Sequence, residues 1–131
     1  MGLAYLWDTN AVIYYFRKAF SLNGEKIVDD IVVKYQPCIS IITEIELLCW
    51  KDLAIDEATI LKNFIADCSV FDSDTHIKAN TIDIRKNYSL KLPDAIIAAT
   101  AITFDLTLIS NDKKGFHKVT GLNILDPFNI G

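Results

Sequence analysis

Histidine and cysteine are scarce in this 131-residue chain, with His76 and His117 the only histidines and Cys38, Cys49 and Cys68 the only cysteines. Their positions offer no Cys/His spacing suited to zinc, so any metal here is expected to be a hard cation held by oxygen. An odd number of widely spaced cysteines in apolar surroundings reads as buried, reduced thiols, which suits a cytoplasmic protein. No apolar run approaches the roughly 20 residues of a membrane span. The start, "MGLAYLWDTN", has no basic n-region and meets Asp8 early, so no secretory signal is expected. Gly2 alone makes no myristoylation signal, because Leu6 stands where Ser or Thr belongs. Repeats and low-complexity stretches are absent. Positive charge is also in deficit: the net charge is −4, which argues at first against a nucleic-acid partner.

Apolar residues are plentiful. They make up 51% of the chain and include seven Phe, five Tyr and two Trp, enough to bury the core of a single domain over residues 1–131. "LAYLW" (3–7), "CISI" (38–41), "SVF" (69–71), "LTLIS" (106–110) and "LNIL" (122–125) read as short buried strands. Between them lie helical patterns. "DTNAVIYYFR" follows the first strand, with Asp8, Thr9 or Asn10 as its cap. Ile27, Val28, Ile31, Val32 and Tyr35 mark a second helix, and Ile45, Leu47 and Leu48 a third that begins near Thr43. Asp56 caps a helix over 56–66, and Ile77, Ile84 and Tyr88 form the stripe of another over 72–88. The segment 94–104 is apolar on nearly every side and predicts a buried helix. This alternation predicts an α/β fold, three layers deep, with a central, mainly parallel sheet of four to five strands.

In open parallel sheets, ligands bind beyond the carboxyl ends of the strands, where strand order switches. Four acids fall at that edge. Asp8 ends the first strand, Glu46 lies in the first turns of the helix after "CISI", Asp94 opens the apolar helix, and Asp112 follows "LTLIS". Each has an ordinary explanation: Asp8 as a cap, Asp94 as a complement to the helix dipole, Glu46 or its neighbour Glu44 as surface charge, Asp112 as a turn residue. Together they suggest one site. Four carboxylates gathered there would leave the rest of the chain formally neutral, which weakens the objection from net charge.

The blocks "YLWDTNAVIYY", "ISIITEIELL", "LPDAIIAATA" and "LTLISNDKKGF" resemble, in order and spacing, those of PIN-domain ribonucleases, in particular the small VapC-type toxins of toxin–antitoxin pairs. The glutamate that precedes "LL" in the family's pattern selects Glu46 over Glu44. Trp7 replaces a commoner aliphatic residue and Ser110 a threonine, so the hydroxyl is kept. The resemblance implies a metal-dependent endoribonuclease acting on single-stranded or loop RNA and leaving 5′-phosphate and 3′-hydroxyl ends. It also implies a homodimer and a groove for an antitoxin peptide; no membrane partner is expected, for want of a long apolar run.

Clustered carboxylates repel until a cation arrives. Mg²⁺ or Mn²⁺, one ion or two about 4 Å apart, suits such a site. Asp8 and Asp94 are expected as principal ligands, Asp112 as a further ligand, and Glu46 as ligand or water orienter. Thr9, Asn10 and Ser110 are expected to orient these carboxylates. Lys113, Lys114 and Lys118, with Arg85, Lys86 and Lys91, are candidates for RNA contact, although a solvated face explains such lysines as readily. Tyr14, Tyr15 and Phe16 could stack bases, but core or interface packing accounts for them better.

Three other readings stand beside this one. A phosphatase using Asp8 as nucleophile would want a second acid where Asn10 stands. A receiver-type signalling domain would want paired early acids. A silent PIN-like RNA-binding or interaction module would be expected to have lost an acid, and none is missing.

Overall fold

The computed structural model describes residues 2–111 and 114–129. The elements run β1 (Tyr5–Trp7), α1 (Thr9–Phe16), α2 (Leu22–Lys34), β2 (Cys38–Ser40), α3 (Ile41–Leu48), α4 (Ile55–Asp67), β3 (Ser69–Phe71), α5 (Thr75–Asn87), α6 (Leu92–Thr103), β4 (Thr107–Ile109), a 3₁₀ turn (Phe116–Lys118) and β5 (Ile124–Leu125). The strands form one five-stranded sheet in the order β3-β2-β1-β4-β5, and every pairing is parallel.

Alternation along the strands sets the layers. Leu6, Cys38 and Leu108 face a core shared with Ile77 and Ile84 of α5 and with Ala95, Ile97 and Ala98 of α6. Their neighbours Trp7, Ile39 and Ile109 face the opposite core, with Val12 of α1, Val28 and Ile31 of α2, Leu47 of α3 and Leu61 of α4. The expected three-layer α/β/α architecture results. Leu6, Ile39, Ile97, Leu108 and Ile109 are wholly buried; each such side chain contributes about 1.5–3 kcal/mol of transfer free energy. Trp7 fills its larger place edge-on to Tyr15 and Phe64, at centroid distances of 5.4 and 5.7 Å.

Several local expectations are corrected. The strands are shorter than their apolar runs because helices begin at once: Asp8 caps α1, and Ser40, accepting from Ile42 N–H at 3.1 Å, caps α3 three residues before Thr43. The cap of α4 is Ala54 and not Asp56. Glu57 folds back to accept from Ala54 N–H at 3.2 Å, drawing the two preceding residues into the helix. Ile45 and Leu48 are about half exposed, since α3 seats Thr43 and Leu47 inward. Cys49, at the end of α3, is exposed, whereas Cys38 is buried. No helix among the described residues is long and apolar enough to cross a membrane.

The topology fixes where a site can form. From β1 the chain builds outward through β2 to β3, then crosses to the far side of β1 to lay down β4 and β5. The carboxyl end of β1, beside β4, is therefore the switch point.

Candidate active site

Asp8 stands at that switch point. Its N–H donates to the Ile109 carbonyl at 3.0 Å, so pairing with β4 continues one residue past β1 and holds the Asp8 backbone at the sheet edge. One carboxylate oxygen accepts from Thr9 N–H at 2.9 Å, and the other accepts from Ser110 Oγ at 3.1 Å. The residue is wholly buried. Burial pushes its carboxyl above the usual range, opposed by the Lys114 ammonium and the Ser110 hydroxyl, while the charge of Asp94 reinforces the rise.

Asp94 reaches the same place from α6. Leu92 opens that helix, with Pro93 in the first turn where no intrahelical N–H is required, and Asp94 is its third residue. Lys114 Nζ lies between the two acids, 3.2 Å from Asp94 Oδ1 and 3.6 Å from Asp8 Oδ1. Burial disfavours the Lys114 ammonium, but the fields of Asp8, Asp94 and Glu46 together outweigh it, and the lysine is held above its ordinary value.

Glu46 joins from α3. Its Oε1 accepts from Thr9 Oγ1 at 2.7 Å. The Thr9 and Thr43 hydroxyls are 3.0 Å apart. With Thr9's single proton directed to the carboxylate, Thr43's proton serves the threonine pair. Glu44 instead contributes to the field at the Cys68 thiol, which burial pushes up to about 12.

Asp8, Glu46 and Asp94, with Thr9 and Ser110, are thus brought to one edge, while Asn10 sits half-buried in the first turn of α1. Asp112 and Lys113 lie outside the described residues. Among the described residues no three His, Cys, Asp or Glu side chains are close enough to hold a metal together. The donor set still fits a hard divalent cation. Two carboxylates already flank a positive charge, and Mg²⁺ commonly takes only one or two protein carboxylates and retains water.

The basic residues are dispersed. Lys114 is among the acids. Arg85 is tied to the Leu90 carbonyl at 2.7 Å, and Lys86, Lys91 and Lys118 are exposed. Tyr15 donates to Asp29 at 2.6 Å and packs on Trp7, Phe16 meets Phe64, and Tyr14 meets Phe128. These three aromatics are engaged in packing. Two features of the site escaped the sequence: the place of Lys114 and the part of Thr43. For Thr43 a signal existed, since it precedes Glu46 by three residues on one helical face.

The PIN domain family model matches residues 5–122. The tRNA(fMet)-specific endonuclease VapC of Salmonella typhimurium is 29% identical over 139 aligned positions, covering 95% of this chain and 98% of that protein. A toxin–antitoxin complex from Klebsiella pneumoniae contains a chain with a TM-score of 0.74 and 28% identity, covering 97% of this chain and 100% of that one. In fold the protein is also similar to DNA-bound VapBC from Salmonella typhimurium, at a TM-score of 0.76 and 24% identity, covering 95% of this chain and 98% of that one. VapBC2 from Rickettsia felis, bound to a promoter DNA fragment, gives a TM-score of 0.76 at 20% identity, with 94% and 98% covered. The family match runs through Asp8, Glu46, Asp94 and Asp112, and the chain belongs to the PIN domain family.

Proposed function

We propose that the protein is a Mg²⁺- or Mn²⁺-dependent endoribonuclease and the toxin of a toxin–antitoxin pair. The observation that carries this reading is the convergence of Asp8 and Asp94 on a single positive charge, with Glu46 held alongside through Thr9. The VapC relative and the toxin–antitoxin likenesses support it.

Asp8 and Asp94 would hold the metal, with Asp112 as a further ligand and Glu46 a ligand or the group that orients water. When bound, the ion supplies activation of a water and charge stabilisation at the phosphodiester. The protein does the positioning. Ser110 and the Thr9 N–H fix the two Asp8 oxygens, and Thr9 fixes Glu46, so the carboxylates meet the substrate with little freedom to lose. Glu46, more exposed than the two aspartates, is placed to accept a proton from the attacking water.

The partners follow from the same chemistry. An antitoxin lysine or arginine inserted between Asp8 and Asp94 would neutralise the pair as Lys114 does and would compete with the metal. Equal antitoxin affinity with and without Mg²⁺ would reject that competition. A homodimer is proposed from the family likeness, and sedimentation would reveal a monomer if it is wrong.

The direct test is cleavage of a mixed RNA pool by wild type and Asp94→Asn, with Mn²⁺, Mg²⁺ or EDTA, alongside a thermal melt. The expected result is loss of at least about a hundredfold in rate in the variant, as for removal of a charge-stabilising group, and in EDTA, with the fold intact. Equal activity in variant and wild type would overturn the assignment.

A further inference from the structure

Beside Asp94, between the α5–α6 connection and the 3₁₀ turn, lies a cleft of about 320 Å³ bordered by Tyr88, Leu90, Lys114, Gly115, His117 and Lys118. We propose that this cleft is a nucleotide subsite, holding the base and phosphate that adjoin the scissile bond. The inference rests on the nuclease reading and extends it to the path of the strand.

Lys114 links the two places. Its ammonium is on Asp8 and Asp94 while the residue borders the cleft, so one side chain separates the cleft from the carboxylates. A strand whose phosphodiester lies at the acids has its neighbouring nucleotide within reach of this space. The volume falls within the roughly 300–1,000 Å³ of small-molecule sites.

The chemistry of the lining suits a nucleotide. No carboxylate stands among its described residues, while the exposed Lys118 is there to meet a phosphate and Lys114 and His117 also border the space. Tyr88 supplies a fixed flat wall: its hydroxyl donates to Thr120 Oγ1 at 3.1 Å and accepts from Thr120 N–H at 3.1 Å. A ring anchored at its far end is a stacking platform that loses little freedom when a base arrives. Leu90, nearly wholly buried, forms an apolar floor. Gly115, at φ +91°, leaves bare backbone at the mouth, a conformation that a side chain would strain. Arg85 holds the floor in place through the Leu90 carbonyl.

Two larger clefts are poorer candidates. The one beside Tyr15 and Trp50 carries Glu25, Asp29 and Glu57 against the single Lys18, an acidic excess that would repel a phosphodiester. The groove along α5 and α6 is lined by Ile77, Ile82, Leu92 and Ile96, with Asp74 and Lys78 as its charged groups.

The test uses Asp94→Asn protein, so that RNA survives, and a 5′-fluorescent single-stranded RNA of mixed sequence followed by anisotropy across a salt series. Into this parent are placed Lys118→Ala, Lys118→Arg, Tyr88→Leu, Tyr88→Phe and, as a distant control, Lys62→Ala, with melts to confirm folding. Lys118→Ala is expected to flatten the salt dependence by about 0.7 in log–log slope, one phosphate contact on a single strand. Lys118→Arg restores it. Tyr88→Leu is expected to weaken binding at least about fivefold, the lower end for one stacked base. Tyr88→Phe keeps the ring and weakens binding less, and Lys62→Ala changes nothing. Parent-like affinity and slope in the Lys118 and Tyr88 variants, or no binding by the parent at low salt, would overturn the subsite. Cleavage by wild type alongside that result would leave the nuclease standing; absence of cleavage would remove the nuclease instead.

Discussion

Lys114 Nζ lies 3.2 Å from Asp94 Oδ1, and the same nitrogen is 3.6 Å from Asp8. The chain thus furnishes its own counter-charge to a pair of acids that would otherwise repel. A metal must displace or share this ammonium. Lys114→Met is therefore expected to tighten Mn²⁺ binding at least about tenfold, since a unit charge at 4 Å is worth up to about 4 kcal/mol at an effective dielectric of 20. Calorimetric titration with Mn²⁺ checks it, and an unchanged affinity would show that the lysine does not compete.

Asp8 links the site to stability. Burial raises its pKa, so the folded state holds the proton more tightly than the unfolded state, whose value is near 3.8. The stabilising contribution is full below that value and is lost as pH rises through the higher folded pKa. Above it, ionised Asp8 is a burden on the metal-free fold. Asp8→Asn is expected to melt at a higher temperature than wild type at pH 7 in EDTA, with the advantage vanishing in acid. A variant less stable at pH 7 would mean that the bonds from Thr9, Ser110 and Lys114 outweigh burial.

Thr9 holds Glu46 and meets Thr43 through a single hydroxyl. Thr9→Val keeps the shape but strands Glu46 and Thr43, and is expected to lower cleavage about 10- to 100-fold, as outer-shell losses do. The stability cost is about 1–3 kcal/mol, the penalty of an unpaired buried polar group. Thr9→Ser should restore most of both. Wild-type rates from Thr9→Val would release Glu46 from its dependence on Thr9.

The sequence revealed the acids more readily than their setting. Asp8 and Asp94 stood out because each ends or begins an apolar run; taken singly each also suits a helix start, and only the four blocks read together singled them out. The two-layer burial was legible too, since Leu6/Trp7 and Cys38/Ile39 are adjacent apolar pairs that only a sheet covered on both faces can bury. Lys114 was not legible in its place. It lies 20 residues beyond Asp94, and only the crossing of the chain to β4 brings Lys114 back against α6. The cap of α4 was misjudged because Asp56 has the better side chain, whereas Glu57 turns back to the backbone of Ala54. Periodicity likewise placed Ile45 and Leu48 inside; α3, seated by Thr43 and Leu47, leaves them half in water.

Gly24 tests the tie between the last described residues and α2. Its N–H donates to Ser21 Oγ at 3.0 Å, and that hydroxyl also reaches the Pro127 carbonyl at 3.2 Å. A Cβ on residue 24 would overlap the Pro127 oxygen and stand 2.9 Å from its carbon. Gly24→Ala gains about 1 kcal/mol of helix propensity, but displacing Pro127 is expected to outweigh it, for a net loss of about 1–2 kcal/mol in denaturant unfolding. Equal or greater stability would show that the segment yields without cost.

The central position of β1 has a consequence for how the protein is made. This strand leaves the ribosome before the other four, yet one of its edges is satisfied only by β4, about 100 residues later. At 5–20 residues per second, that edge waits roughly 5–20 s for its partner. Until then Asp8 has neither Ser110 nor the Ile109 carbonyl, and the α6 segment that bears Asp94 has no completed sheet to close over. The edge that bears these acids is thus among the last parts of the molecule to come into being, and a chain released before Thr107 carries Asp8 and Asp94 without the strand that brings them into register.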